Sequence, residues 1–284
     1  MSPTMTAVRS GIRRGGIEFR QSLTNFQNIW NYLFFPVIIL IVMFLLRGVS
    51  VPGTNFSLSA ATIAGVIGMQ VAFNGLTVIA AVLTVEREDG TLLRAKAIPN
   101  GMRGYLVGKV VTGAGQALVA VAIFLAPGAF LFDGLRLSDP GAWSTLAWVL
   151  LLGLVATMPI GAILGSLFST SRSLGLIMLP QMGLIAISGI FYPITAFPVW
   201  LQWIAQVFPI YWLGLGMRSA LLPDSLASVE IGDSWRHLEM VGVLGIWAAA
   251  GLILAPVVLR RMARRESGSS VDARREKAIQ RPWT

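Results

Sequence analysis

Glu86-Arg87-Glu88-Asp89-Gly90-Thr91-Leu92-Leu93-Arg94-Ala95-Lys96-Ala97-Ile98-Pro99-Asn100 is the densest mixed-charge run between apolar segments in this chain. An apolar run ends at Val85 and the next begins near Val107. The acids Glu86, Glu88 and Asp89 precede the bases Arg94 and Lys96, the order that suits a helix dipole. Pro99-Asn100 then ends the element. A charged, helix-prone element held between two membrane-length runs is placed to touch something outside the bilayer.

Working outward, the rest of the 284 residues are 55% hydrophobic and 12% charged, and the mean hydropathy is +0.72. Soluble domains average about 25% charged residues, so this is the composition of an all-α integral membrane protein. The net charge of +9 does not point to nucleic acid, because its placement follows topology. Eighteen of the 22 Lys and Arg lie in the N-terminal segment, the 86–109 connection, the 169–173 turn and the C-terminal tail. The other four, Arg47, Arg136, Arg218 and Arg236, lie in the alternate loops. Positive residues mark cytoplasmic loops, so both termini are expected inside, on an even number of spans, with the bases against anionic lipid headgroups. The chain has no cysteine, which excludes disulfides and thiolate metal or redox sites. A cleaved signal peptide is not expected, since polar and mixed sequence precedes the first apolar run and no small-residue cleavage pattern closes it.

Residues 1–28 form a cytoplasmic segment in which Val8, Ile12, Phe19, Leu23 and Phe26 share one helical face, opposite Arg9, Arg13, Arg14 and Arg20. That is a basic amphipathic helix lying on the inner leaflet. Gly11, Gly15 and Gly16 weaken its first half, so the helix is expected over about 17–28. The transmembrane domain covers 29–259, with six spans at about 29–46, 60–85, 107–132, 143–168, 174–190 and 240–259. Trp30 and Tyr32 mark the inner interface of the first span. Gly65, Gly68 and Gly75 permit close packing of the second, and Pro127-Gly128 interrupts the third. The connection between the second and third spans is 86–106, Ser169-Thr170-Ser171-Arg172-Ser173 is a tight inner turn, and 260–284 is a basic tail.

Residues 191–222 are apolar and aromatic yet punctuated by proline, and no unbroken piece is long enough to cross. Two short helices are expected, about 199–207 and 211–222, as a re-entrant or interfacial element in the outer leaflet. Tyr192, Pro193, Trp200, Trp203, Pro209 and Trp212 define it, the aromatic rings at headgroup depth.

Catalytic chemistry has few candidates. Gly104-Tyr105-Leu106-Val107-Gly108-Lys109-Val110 resembles a phosphate-binding loop only superficially. Its glycine spacing is one short, Val110 stands where Ser or Thr is required, and it runs into a span. The lone histidine, His237, cannot build a multi-histidine metal site, and no serine sits in a nucleophile elbow. No metal site and no cofactor are expected in this chain. No charged residue lies in the middle of a span, which counts against an ion-coupled carrier and leaves the energy source outside the chain. Uncharged polar residues do lie within spans. Gln70, Asn74 and Thr77 share a face of the second, Gln116 is in the third, and Gln181 and Ser188 are in the fifth. Gln70, Asn74, Gln181 and Ser188 are candidates for lining a substrate path, the alternative being hydrogen bonds between helices.

Three features, in order, resemble the membrane subunits of ABC-2 type (type V) exporters. They are the amphipathic helix before the first span, the acidic-Gly-Thr motif Glu86-Arg87-Glu88-Asp89-Gly90-Thr91-Leu92, and the run from Leu167-Phe168-Ser169 through Ile190-Phe191-Tyr192-Pro193 to Phe208-Pro209. The match is nearest the drug and antibiotic efflux branch. The resemblance implies a permease without its own ATPase motif, working in a bacterial cytoplasmic membrane with a cytoplasmic ABC ATPase that carries ATP and Mg2+. A second permease copy, identical or related, completes the complex. It also implies that Glu86, Arg87, Glu88, Asp89, Gly90, Thr91, Leu92, Arg94 and Lys96 form the coupling element received by the ATPase. The implied activity is outward movement of a hydrophobic or amphipathic solute. A non-transporting scaffold or sensor with an ATPase partner, and an ion-coupled carrier, are the alternatives. The substrate is not fixed by these motifs.

Overall fold

The computed structural model describes residues 3–98, 100–168 and 175–265, and these described residues form eleven α-helices. They are α1 (Pro3–Thr24), α2 (Phe26–Leu45), α3 (Leu58–Phe73), α4 (Ile79–Glu88), α5 (Thr91–Lys96), α6 (Gly101–Leu131), α7 (Pro140–Leu167), α8 (Gly175–Ile187), α9 (Val199–Val207), α10 (Pro209–Leu221) and α11 (His237–Arg265). One π-helical turn, Asn74–Val78, joins α3 to α4 in a single run. The described residues contain no β-strand beyond one isolated bridge between Ser50 and Ser57. The expected turn Ser169–Ser173 and the tail beyond Arg265 lie outside the described residues.

Among the described residues, four helices are long and apolar enough to cross a membrane: Leu58–Arg87, Gly101–Leu131, Pro140–Leu167 and His237–Met262. They coincide with the expected second, third, fourth and sixth spans. The first and fifth correspond to shorter apolar helices, Tyr32–Leu45 and Gly175–Ile187. At 1.5 Å per residue, the 13 residues of α8 reach only about 20 Å against a core of about 30 Å. The expected interruption of the third span is absent, since α6 runs unbroken through Pro127 to Leu131.

The run from α3 to α4 is the most enclosed of the four long helices, and α11 the least. It packs on α10, α7 and α6. Every residue of α10, Pro209–Leu221, is buried, as befits a helix that is apolar nearly all round. Its close approach to α3 depends on Gly68, where a Cβ would lie 2.4 Å from the Leu213 carbonyl oxygen. The start of α10 is set by Pro209 at its first position, where a missing N–H costs nothing. Thirteen residues are too few to cross, so α10 is a short helix inserted into the bundle. It is preceded by α9, whose Trp200 and Trp203 are exposed. The expected bounds of this pair, 199–207 and 211–222, are close to those observed.

The end of the bundle that carries α1, α5 and the start of α6 is here termed the basic end, and the opposite one, with residues 133–139 and 223–236, the distal end. A main apolar core fills the bundle from the middle to the distal end. A smaller cluster at the basic end gathers Leu83, Leu92, Ala95, Tyr105, Leu259 and Met262.

Candidate functional site

At the basic end, α4 ends and α5 begins through Asp89-Gly90-Thr91. Gly90 has φ +78°, a left-handed conformation that glycine adopts without strain. The Thr91 N–H donates to Asp89 Oδ1 at 2.8 Å, satisfying a helix-start donor. The acidic-Gly-Thr motif is thus first a local turn device, and it aims α5 across the end of the bundle. Leu92 and Ala95 face inward, 2% and 4% exposed, onto the cluster that includes Leu83 of α4, Tyr105 of α6 and Leu259 of α11. Asp89, Arg94, Ala97 and Ile98 face out, with Ile98 62% exposed. The side chains of Glu88 and Lys96 lie outside the described residues.

The first two motif residues are engaged within the chain. Glu86 accepts from the Tyr105 hydroxyl and from Lys109 Nζ, each at 2.5 Å. The same Lys109 Nζ donates to Glu18 Oε2 at 2.6 Å, and Arg14 Nε donates to Glu18 Oε1 at 2.8 Å. Lys109 and Glu86 are each only 14% exposed. Burial pushes the Glu18 carboxyl up, but the hydrogen bonds from Lys109 and Arg14 outweigh it and hold the group below the usual carboxylate range. Arg87 Nη1 donates to the carbonyls of Ser166 and Phe168 at 3.0 and 2.9 Å, tying α4 to the end of α7. These charges form a clasp joining α1, α4 and α6.

The clasp needs α1 to lie close on α6, and small residues bring it there. A Cβ on Gly11 would stand 2.3 Å from the Gly104 carbonyl oxygen, and one on Gly15 2.4 Å from that of Gly108. The Thr112 hydroxyl donates to the Gly15 carbonyl at 3.1 Å, and Phe19 lies over Gly115. The expectation that glycine weakens the first half of the amphipathic helix is therefore corrected. Because its glycines form a contact face rather than a break, α1 already begins at Pro3; it ends at Thr24, four residues short of the expected end. Gly104 and Gly108, which the sequence presents as a failed phosphate loop, are the other half of that face. Ile12, Leu23 and Phe26 of the expected apolar face remain exposed.

Deeper in the bundle the candidate path residues differ in what they bond. Gln70 is half-buried. Asn74 Nδ2 donates to the Gln70 carbonyl at 2.9 Å, within its own helix, at the start of the π-helical turn. The Thr77 hydroxyl donates to Gln181 Oε1, linking the second helical run to α8, while Gln181 Nε2 has no protein partner. The Ser188 hydroxyl donates back to the Ile185 carbonyl. Thr77 and Gln181 are thus brought together, whereas Asn74 and Ser188 each bond locally.

At the distal end Tyr192 is exposed and Pro193 half-buried, just before a short 3-10 turn, Ile194–Ala196. Trp212 is 2% exposed and donates through Nε1 to the Gln206 carbonyl at 2.6 Å, so this ring fixes α9 to α10 rather than facing headgroups as expected. Arg218, read from the sequence as a loop base, is inside α10 and 4% exposed. Its Nε donates to Glu230 Oε1 at 2.7 Å, with Glu230 also 4% exposed. The signal was available: one arginine within the apolar stretch 209–222, followed by a single glutamate in the next loop. No cluster of three or more potential metal ligands occurs among the described residues.

A family model described as ABC-2 type transporter matches residues 17–222 of this chain. No curated protein matches it.

Proposed function

The chain belongs to the ABC-2 type transporter family as a membrane-embedded permease component, and we propose that it exports an amphipathic solute, driven by a separate cytoplasmic ATPase. Six spans, with local thinning of the bilayer around the short α8, both termini inside, and pairing with a second permease complete the proposal. The positive-inside distribution of the bases supports the orientation.

One observation carries the coupling role. α5 and the two residues that follow it present Arg94, Ala97 and Ile98 outward, while Leu92 and Ala95 of α5 pack on α4, α6 and α11. A load applied to that outer face therefore reaches three long helices at once through packed side chains, which resist compression. Glu86 and Arg87 serve this arrangement from inside, as braces, and not as direct contacts of the ATPase. Among the described side chains of this corner, Asp89, Arg94, Ala97 and Ile98 are outward-facing groups that the partner can meet. Gln181 and Thr77, the latter on the π-helical turn, are the polar groups we assign to the solute path, since π turns inside helices are frequent at functional sites.

Inside-out vesicles containing the permease and its ATPase are expected to take up rhodamine 6G on addition of ATP and Mg2+, and Ile98→Asp to abolish uptake. ATP-dependent uptake equal to that of vesicles lacking the permease would end the export reading.

A further inference from the structure

The buried pair at the distal end is more than a structural contact. Arg218 ties α10 to two other pieces of chain: Nη1 donates to the Gly189 carbonyl at 3.0 Å, just past α8, and Nε holds Glu230 in the loop after α10. The second guanidinium nitrogen, Nη2, and the second carboxylate oxygen, Glu230 Oε2, have no protein partner although both are buried. Beside them lies a cavity of about 30 Å³, lined among others by Gly189, Tyr192, Arg218, Leu226, Glu230 and Trp235. A water needs roughly 10–15 Å³ and two or more polar partners, so one or two waters fit and would satisfy both free positions. Gly65 and Gly214 leave room for the guanidinium, each with Arg218 Nη1 only 3.3 Å from where a Cβ would stand.

A buried ion pair is weak evidence for stability, because apolar residues of similar volume often hold a core equally well. What a hydrated pair does offer is separability. Charges already in contact with water can part and be solvated, whereas an unpaired buried charge cannot be tolerated. We propose that Arg218 and Glu230 form a hydrated lock that closes the distal end of the bundle. It pins α10 to the end of α8 and to the 224–236 cap, and its release widens the mouth of this partly open cleft to solvent. The lock goes beyond the export proposal and does not depend on it.

The chain has no cysteine, so a single introduced thiol reports one position. Leu226→Cys, at a residue 3% exposed beside the cavity, reports the cap, and Leu259→Cys, in the cluster at the basic end, reports the remainder of the fold. Membranes containing the full chain, without ATP or solute, are treated with a water-soluble maleimide applied to both faces. Glu230→Gln, which removes the countercharge, is expected to raise the labelling rate at Leu226→Cys about tenfold or more, with no change at Leu259→Cys. An unchanged rate in Glu230→Gln, or an equal rise at Leu259→Cys, would overturn the lock. Because neither ATP nor transport enters the readout, failure here is distinct from failure of export.

Discussion

Replacing Lys109 by Met should separate the clasp from ordinary packing. Lys109 Nζ stands 2.6 Å from Glu18 Oε2 and 2.5 Å from Glu86 Oε1, so those two oxygens can be no more than about 5 Å apart. Without the ammonium, two carboxylates at that separation repel by about 3 kcal/mol at an effective dielectric of 20. Methionine keeps most of the volume, so little of the loss is packing. With about 2 °C lost per kcal/mol in a chain of this size, the melting temperature in detergent should fall by about 6 °C. Glu86→Gln in the Lys109→Met background should recover most of that fall, because it removes one of the repelling charges. Thermal unfolding followed by tryptophan fluorescence measures both. A Lys109→Met protein that melts with the native one, or a double variant no better than the single, would refute the clasp.

Gly11→Leu places side-chain atoms where even a Cβ is 2.3 Å from the Gly104 carbonyl oxygen, so α1 must lift by about 1 Å or more, at a cost of about 1–3 kcal/mol. A short bis-maleimide bridging Thr4→Cys and Arg103→Cys, whose native side chains are hydrogen-bonded at 3.2 Å, should lose most of its cross-linking yield. Gly90→Ala forces a non-glycine residue to φ near +78° and should cost about 1–2 kcal/mol, lowering the melting temperature by a few degrees without altering the other spans. Glu18 titrates lower in the folded protein than its ordinary 4.5. Its contribution is therefore fully present above that value and lost as pH falls through the depressed one. Glu18→Gln should accordingly lose less stability than the native protein between pH 5 and pH 3, as read by denaturation at each pH.

The apolar runs, the proline-punctuated insertion and the charged corner were legible in the sequence because hydropathy and proline act locally. Val199–Val207 was placed at its observed bounds for that reason. What escaped was set by contacts between distant segments. Gly11 and Gly15 look like helix breakers until Gly104 and Gly108 are opposite them. Glu86 looks like a free acid on a cytoplasmic loop until Lys109, one span entry away, is beside it. Arg218 was assigned to a loop because charge counting treats any base as a topology marker, whereas a partner at Glu230 makes burial tolerable. In the candidate path, Thr77 meets Gln181 while Asn74 bonds within its own run, both from one π-helical turn whose altered register helical periodicity cannot anticipate.

The coupling role of α5 is tested most directly by purifying the tagged chain from its native membranes in mild detergent and measuring what comigrates. A stoichiometric ATPase subunit, identified by mass spectrometry and hydrolysing ATP, is the expected result, with its recovery lost in the Arg94→Glu/Ile98→Asp variant and retained in Glu86→Gln. Retention of the ATPase by the Arg94→Glu/Ile98→Asp variant, or recovery of the chain alone from intact membranes, would contradict it.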